Sequence, residues 1–155
     1  MVFKKILSIF KYIMIIFVSF CLLCFVSIFY QKKVMKNNMP NLFGYVGGTI
    51  MSESMEPTFK VGDYVIAKDN GGYNVGDIVL FKRGNAYIAH RVMEVHEDYI
   101  ITKGDNNETV DVEIPKDTVV GPVVNVFNGI GTIVMFLSQY KFLVFAIIVL
   151  IVILI

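Results

Sequence analysis

The chain has 155 residues, a formal net charge of +1, 55% apolar residues and a mean hydropathy of +0.65. The length predicts one folded domain, and the near-neutral charge, with no basic stripe, argues against nucleic acid as a partner. The apolar fraction exceeds that of an ordinary soluble sequence, and its residues gather at the two ends of the chain, leaving a middle that reads as globular.

The first apolar run is Tyr12 to Tyr30, 19 residues without a charge. At ~1.5 Å per residue, a helix of that length nearly matches the ~30 Å hydrocarbon core of a bilayer. Lys4, Lys5 and Lys11 precede it, and Lys32, Lys33 and Lys36 follow it. The run is longer than a typical secretory h-region and no small-residue cleavage site follows, so an uncleaved anchor over residues 1–36 is predicted. Three lysines on each side leave its orientation open. Cys21 and Cys24 share one face of this helix. Hydrocarbon surroundings suit them as packing or lipid-facing groups rather than as a redox or metal pair. The middle of the chain has no cysteine, which excludes a disulfide scaffold.

A polar spacer at 37–43 leads into a region rich in short β-branched runs. Strands are predicted at 44–51, 64–67, 77–82, 86–95, 98–103 and 119–127. Val61-Gly62-Asp63, Asn70-Gly71-Gly72, Val75-Gly76-Asp77 and Arg83-Gly84-Asn85 punctuate them as turns. The expectation is a mainly β domain over residues 37–129. The end is apolar again, in Ile130 to Leu137 and then Phe142 to Ile155. Residues 130–155 are read as a second membrane segment, although fourteen residues are few for a full crossing.

Three features of the middle can carry chemistry. Ser52-Glu53-Ser54-Met55-Glu56-Pro57 follows a predicted strand, whose end can hold a hydroxyl rigidly at a surface. His90-Arg91-Val92 lies within another strand. His96 falls beside the turn at Glu97-Asp98 and reads as solvated. Lys103-Gly104-Asp105-Asn106-Asn107, with Asp111 beyond it, reads as a turn. It does not fit a calcium loop, since Val110 and Lys116 stand where an EF-hand needs Gly and Glu. No metal or other cofactor is expected. Serine, histidine and aspartate are the types that acyl transfer needs: a hydroxyl, a base near neutral pKa to take its proton, and a carboxylate to orient that base. Chain order alone does not bring them together, and this reading stands as one hypothesis among several.

Taken jointly, the blocks resemble type I signal peptidases. They are Ser52 to Phe59, Gly62-Asp63, Gly76 to Phe81, His90 to Val92, Lys103 to Asn107, and Asp111, in that family's order across about residues 48–125. The bacterial housekeeping branch has a lysine before Arg-Val. His90 in that place makes the chain look like the endoplasmic-reticulum-type branch, which also occurs in archaea and in spore-forming Gram-positive bacteria. A self-cleaving repressor or phage-type maturation protease of related fold is disfavoured by the same histidine.

The resemblance implies Ser54 as nucleophile, His90 as general base, Asp111 as orienting acid and Asp105 as a second important aspartate. It places Ser52 and the Ser54 N–H at the oxyanion hole. It implies removal of signal peptides from secreted preproteins after small residues, with the bilayer as environment. The enzyme would sit in the cell membrane with its catalytic domain on the extracytoplasmic side. Partner subunits stay open. One departure is Glu53, where the family usually has Gly, a residue that permits unusual backbone angles. It is the sole support for the alternative of an inactive, membrane-anchored binding or assembly protein.

Overall fold

The computed structural model describes residues 2–34, 39–84, 86–140, 143–147 and 150. The chain divides into two compact units, Met1–Leu42 with Leu137–Ile155, and Phe43–Phe136.

In the first unit, helix α1 runs Val2–Lys33. It outreaches the uncharged stretch at both ends because the flanking lysines are good helix formers and no Pro or Gly interrupts them. Its part Ser8–Lys33 is long and apolar enough to cross a membrane, with none of that window buried. Cys21 and Cys24 are free thiols on it. Past its end, the Gln31 side-chain amide brackets the backbone of Asn41, donating to its carbonyl and accepting from its N–H, both at 2.7 Å. Of the predicted C-terminal membrane helix, residues 143–147 and 150 are helical. Phe145 stacks on Phe25 of α1 with ring centroids 6.0 Å apart. Residues 130–139 of that segment are also helical, whereas residues 141–142, 148–149 and 151–155 lie outside the described residues, as do residues 35–38 of the anchor and spacer and Asn85 of one predicted turn.

The second unit is mainly β. Its strands are β1 Tyr45–Thr49, β2 Tyr64–Lys68, β3 Ile78–Arg83, β4 Ala86–Val95, β5 Tyr99–Lys103, β6 Ile114–Pro115 and β7 Val119–Phe127. Six match predicted strands closely. The short β6 was not foreseen, since two residues in a run of Asp, Glu and Pro give no alternation to read. Helix α2, Ile130–Gln139, follows. All pairings are antiparallel, in the order β1-β2-β7-β3-β4-β5-β6.

The last strand therefore returns to the middle of the sheet. β7 pairs with β3 through its first half and with β2 through its second. Gly121 makes that passage possible. At φ +153 its backbone comes so close to β2 that a Cβ would stand 1.9 Å from the Lys68 carbonyl oxygen.

The core is Val79, Phe81, Val92, Ile100 and Ile114, with Tyr73, Ile88 and Val119 packed around it. Burying a Val, Ile or Phe of this kind contributes ~1.5–3 kcal/mol each. Asp63 ties the remaining loops to the sheet. It is 5% exposed, and its carboxylate accepts the N–H groups of Lys60 and Gly129, both at 2.9 Å. Its own carbonyl accepts from Ile50.

Candidate active site

Period two along β4 puts Ile88, His90 and Val92 on one face and Arg91 on the other. Ile88 and Val92 belong to the core face. Pairing sets Val79 opposite His90, and Thr102 opposite Val92. His90 is thus built into the core side of the sheet, 5% exposed, with its ring edge-on to Phe81 at 6.1 Å. A ring so packed has few orientations left.

Two polar groups meet this ring. The Asp111 Oδ2 stands 2.6 Å from His90 Nδ1, and Ser54 Oγ stands 3.1 Å from Nε2. An ionised carboxylate can only accept, so Nδ1 carries the proton and Nε2 is left to accept from the serine hydroxyl. Asp111 is itself fixed on every side. Thr102 Oγ1 donates to Oδ2 at 2.7 Å, Arg83 Nη1 donates to Oδ1 at 3.3 Å, and its backbone N–H bonds the Thr102 carbonyl at 2.7 Å. Burial pushes the Asp111 carboxyl up. The hydrogen bonds of His90 and Thr102 and the charges of His90 and Arg83 outweigh it, and the group lies below its ordinary range.

The serine stands in a compact run of turns after β1. Met55 is 1% exposed and Phe59 4%, so the sequence Met-x-x-x-Phe roots the loop in apolar surroundings while Ser54 stays half-exposed. A bond from the Phe59 N–H to the Met55 carbonyl closes the turn at 2.9 Å. The loop at 104–107 holds it from the other side. Asn106 donates its N–H to the Ser54 carbonyl at 2.9 Å and its side-chain amide to the Glu53 carbonyl at 3.2 Å. Gly104 permits this approach, for a Cβ there would lie 2.5 Å from the Ser54 carbonyl oxygen. Ser52 Oγ is 3.2 Å from Ser54 Oγ. Glu53 is exposed, and its φ is not in the positive region that favours glycine. The position therefore does not need glycine for its backbone.

Asp105 goes elsewhere. It receives a two-pronged bond from Arg91, Nε to Oδ1 at 2.8 Å and Nη2 to Oδ2 at 2.7 Å, and a further bond from the Thr58 hydroxyl. Arg91 also donates to the Gly76 carbonyl at 2.7 Å. The Arg91 hydrogen bond, foremost, holds the Asp105 carboxyl below its ordinary range against the opposing effect of burial. The structure thus brings Ser52, Ser54, His90 and Asp111 into one row and sets Asp105 beside it, in a clamp between the serine loop and β4. A shallow hollow lined by Phe59, Gly76, Asp77, Ile78, Arg91 and neighbouring β7 residues includes neither Ser54 nor His90. Among the described residues no group of three or more His, Cys, Asp or Glu is gathered to hold a metal.

Sequence reading missed Thr102, Arg83, Thr58 and Asn106 as members of the site. Thr102 had a signal: it lies two residues past Ile100, and so on the same face of β5. Thr58 and Asn106 stood inside blocks that carried the resemblance but were given no role, and Arg83 had no signal, because its role depends on where two loops fold back.

A small antiparallel domain with a serine hydroxyl bonded to a buried, carboxylate-oriented imidazole has the arrangement of a peptide or ester hydrolase. A family model described as Peptidase S24-like matches residues 32–124, more than half of the chain, and the protein belongs to that family. Within it the likeness is to signal peptidases. The signal peptidase complex catalytic subunit SEC11 of Saccharomyces cerevisiae strain YJM789 is 31% identical over 114 residues, covering 63% of this chain and 68% of that protein. SEC11 of strains RM11-1a and JAY291 matches to the same extent.

Proposed function

We propose that the protein is a membrane-anchored signal peptidase of the Ser/His/Asp type, cutting signal peptides from secreted preproteins. The observation that carries this reading is the continuous row from Ser54 Oγ through His90 to Asp111, at 3.1 and 2.6 Å.

In the first step Ser54 Oγ attacks the carbonyl carbon of the scissile bond, and its proton passes to His90 Nε2. Asp111 stabilises the imidazolium through Nδ1–H. The oxyanion is received by the Ser54 N–H and the Ser52 hydroxyl. When the tetrahedral adduct collapses, the C–N bond breaks and His90 returns the proton to the leaving amine. Water then attacks the Ser54 ester, with His90 taking the water's proton and restoring it to Ser54 Oγ as the signal peptide leaves as an acid.

Helix α1 supplies the anchor. A substrate whose h-region lies in the bilayer offers its cleavage site at the surface, which suits an enzyme held in the cell membrane with its β domain on the extracytoplasmic side. Asp105 supports the site through Arg91 and the serine loop.

The test is cleavage of one preprotein, in membranes or detergent, by wild type and Ser54→Ala. Wild type should release the mature chain and the variant should not. Cleavage retained by Ser54→Ala defeats the serine mechanism.

A further inference from the structure

We propose that Arg83 is a positioning residue of this site: it holds the second carboxylate oxygen of Asp111 and places a positive charge behind the row, so that its loss moves the acid limb of cleavage. The inference rests on the triad reading above and adds a residue to it.

Asp111 Oδ2 is fully engaged, accepting from His90 Nδ1 and Thr102 Oγ1 at 2.6 and 2.7 Å. Its Oδ1 has one described partner, Arg83 Nη1 at 3.3 Å. A carboxylate bonded through a single oxygen can still rotate about its Cβ–Cγ bond. Engagement of the second oxygen fixes the plane that faces the imidazole. Arg83 reaches this point because it is the last residue of β3, where the hairpin into β4 begins. From there its side chain extends towards the loop that carries Asp111.

Its charge acts beyond the bond. In the proposed mechanism positive charge is added to this row when the imidazole takes a proton, and a cation behind Asp111 opposes that addition by simple repulsion. Among the described residues, three charged groups act on the pair of His90 and Asp111. Asp111 and Arg83 lie on one side, Asp105 lies on the other, and Asp105 is itself neutralised by Arg91. The side chain that meets the ring from the serine loop, Ser54, and the one that meets Asp111 from β5, Thr102, are uncharged hydroxyls. Removing Arg83 therefore leaves one carboxylate beside the imidazole without its compensating cation. The Arg83 side chain is 42% exposed, so solvent and salt screen part of the effect.

The test is the pH–rate profile of preprotein cleavage by the full chain in detergent. Arg83→Gln should lower kcat about 3-fold and move the acid limb up by roughly 0.3 pH unit, the size expected of a partly screened ion pair. Arg83→Lys keeps the charge without the planar fork. It should restore the limb while recovering kcat only in part. In wild type, raising salt from about 0.05 to about 0.5 M should move the limb in the same direction as Arg83→Gln does, and should barely move it in the variant. The wild-type arm of this comparison needs no folded variant to be informative. An acid limb that stays in place in Arg83→Gln and in high salt overturns the proposal, as does a downward move. Asp111→Asn, run alongside, separates the two readings. Wild-type kcat in Asp111→Asn would remove the triad itself, whereas its collapse with an unmoved limb in Arg83→Gln would remove Arg83 alone.

Discussion

Two aspartates six residues apart leave the same loop and do different work. Asp111 turns to the core face of β4 and holds an imidazole through one oxygen. Asp105 turns to the opposite face and holds a guanidinium through both. In the mechanism proposed above, the first contact is to a group that changes protonation state during acyl transfer. The second is to a group that stays charged at any working pH. Two neighbouring carboxylates thus face opposite sides of one strand, and under the proposed mechanism they have separate tasks: Asp111 orients the base, and Asp105 holds the strand against the serine loop.

The largest effect that would break this contrast is on rate. Asp111→Asn should lower kcat by ~10³–10⁴, since an amide in that place favours the wrong imidazole tautomer. Asp105→Asn should cost less, about 10–100-fold, because it loosens a clamp without touching the base; a small displacement of reacting groups suffices for that. Steady-state cleavage of one preprotein by both variants decides it. If Asp105→Asn is the more damaging, the two roles are exchanged.

Next comes Gly104, where the two systems meet. A methyl there would press on the Ser54 carbonyl oxygen at 2.5 Å and on the Asn107 side chain at 2.7 Å. Gly104→Ala should push the serine loop from His90 and lower kcat about 100-fold, while α1 and the core strands keep their far-ultraviolet signal. Unchanged kcat would show that the loop at 104–107 does not set the position of Ser54.

The contrast between the two aspartates also says what a sequence can carry. Alternation in β4 and β5 was legible, and with it the mainly β class and the face on which His90 stands. Ser54, His90 and Asp111 were found through the joint order of several blocks, each of which alone reads as a turn or a strand. That Asp105 belongs with Arg91 was hidden, because the contact depends on a loop returning across β4 rather than on local spacing. The insertion of β7 between β2 and β3 was equally invisible, as was the two-residue β6. Non-local pairing leaves no periodic mark of its own.

A smaller effect separates the aspartates by acidity. Both carboxyls lie below their ordinary range in the folded chain. A depressed carboxyl contributes stability that is present above the unfolded value, ~3.9, and is lost as pH falls through the folded value. The thermal midpoint of the detergent-solubilised chain, as far as these two groups set it, should hold from neutrality to about pH 5 and then fall below about pH 4. Asp105→Asn should flatten part of that fall at the cost of a lower midpoint at pH 7. A variant that loses stability in acid as steeply as wild type would show that the Arg91 clamp contributes nothing to it.

The smallest effect concerns the residue beside the nucleophile. Glu53 stands where a glycine is usual in the family the chain resembles, a departure that matters only if the position needs an unusual backbone angle or a close approach and not if it points to solvent. Its carboxylate is exposed, its φ is ordinary, and its backbone carbonyl is held by Asn106 whatever the side chain. Glu53→Gly should therefore change cleavage by less than about 2-fold and stability by less than ~0.5 kcal/mol, as for other exposed sites. Here the side chain stands outside both carboxylate systems, so its removal leaves the Asp111 row and the Asp105 clamp intact. A rise or fall in kcat beyond about 5-fold would mean that the Glu53 charge acts on the scissile bond, and that the serine loop carries a third functional carboxylate besides the two aspartates.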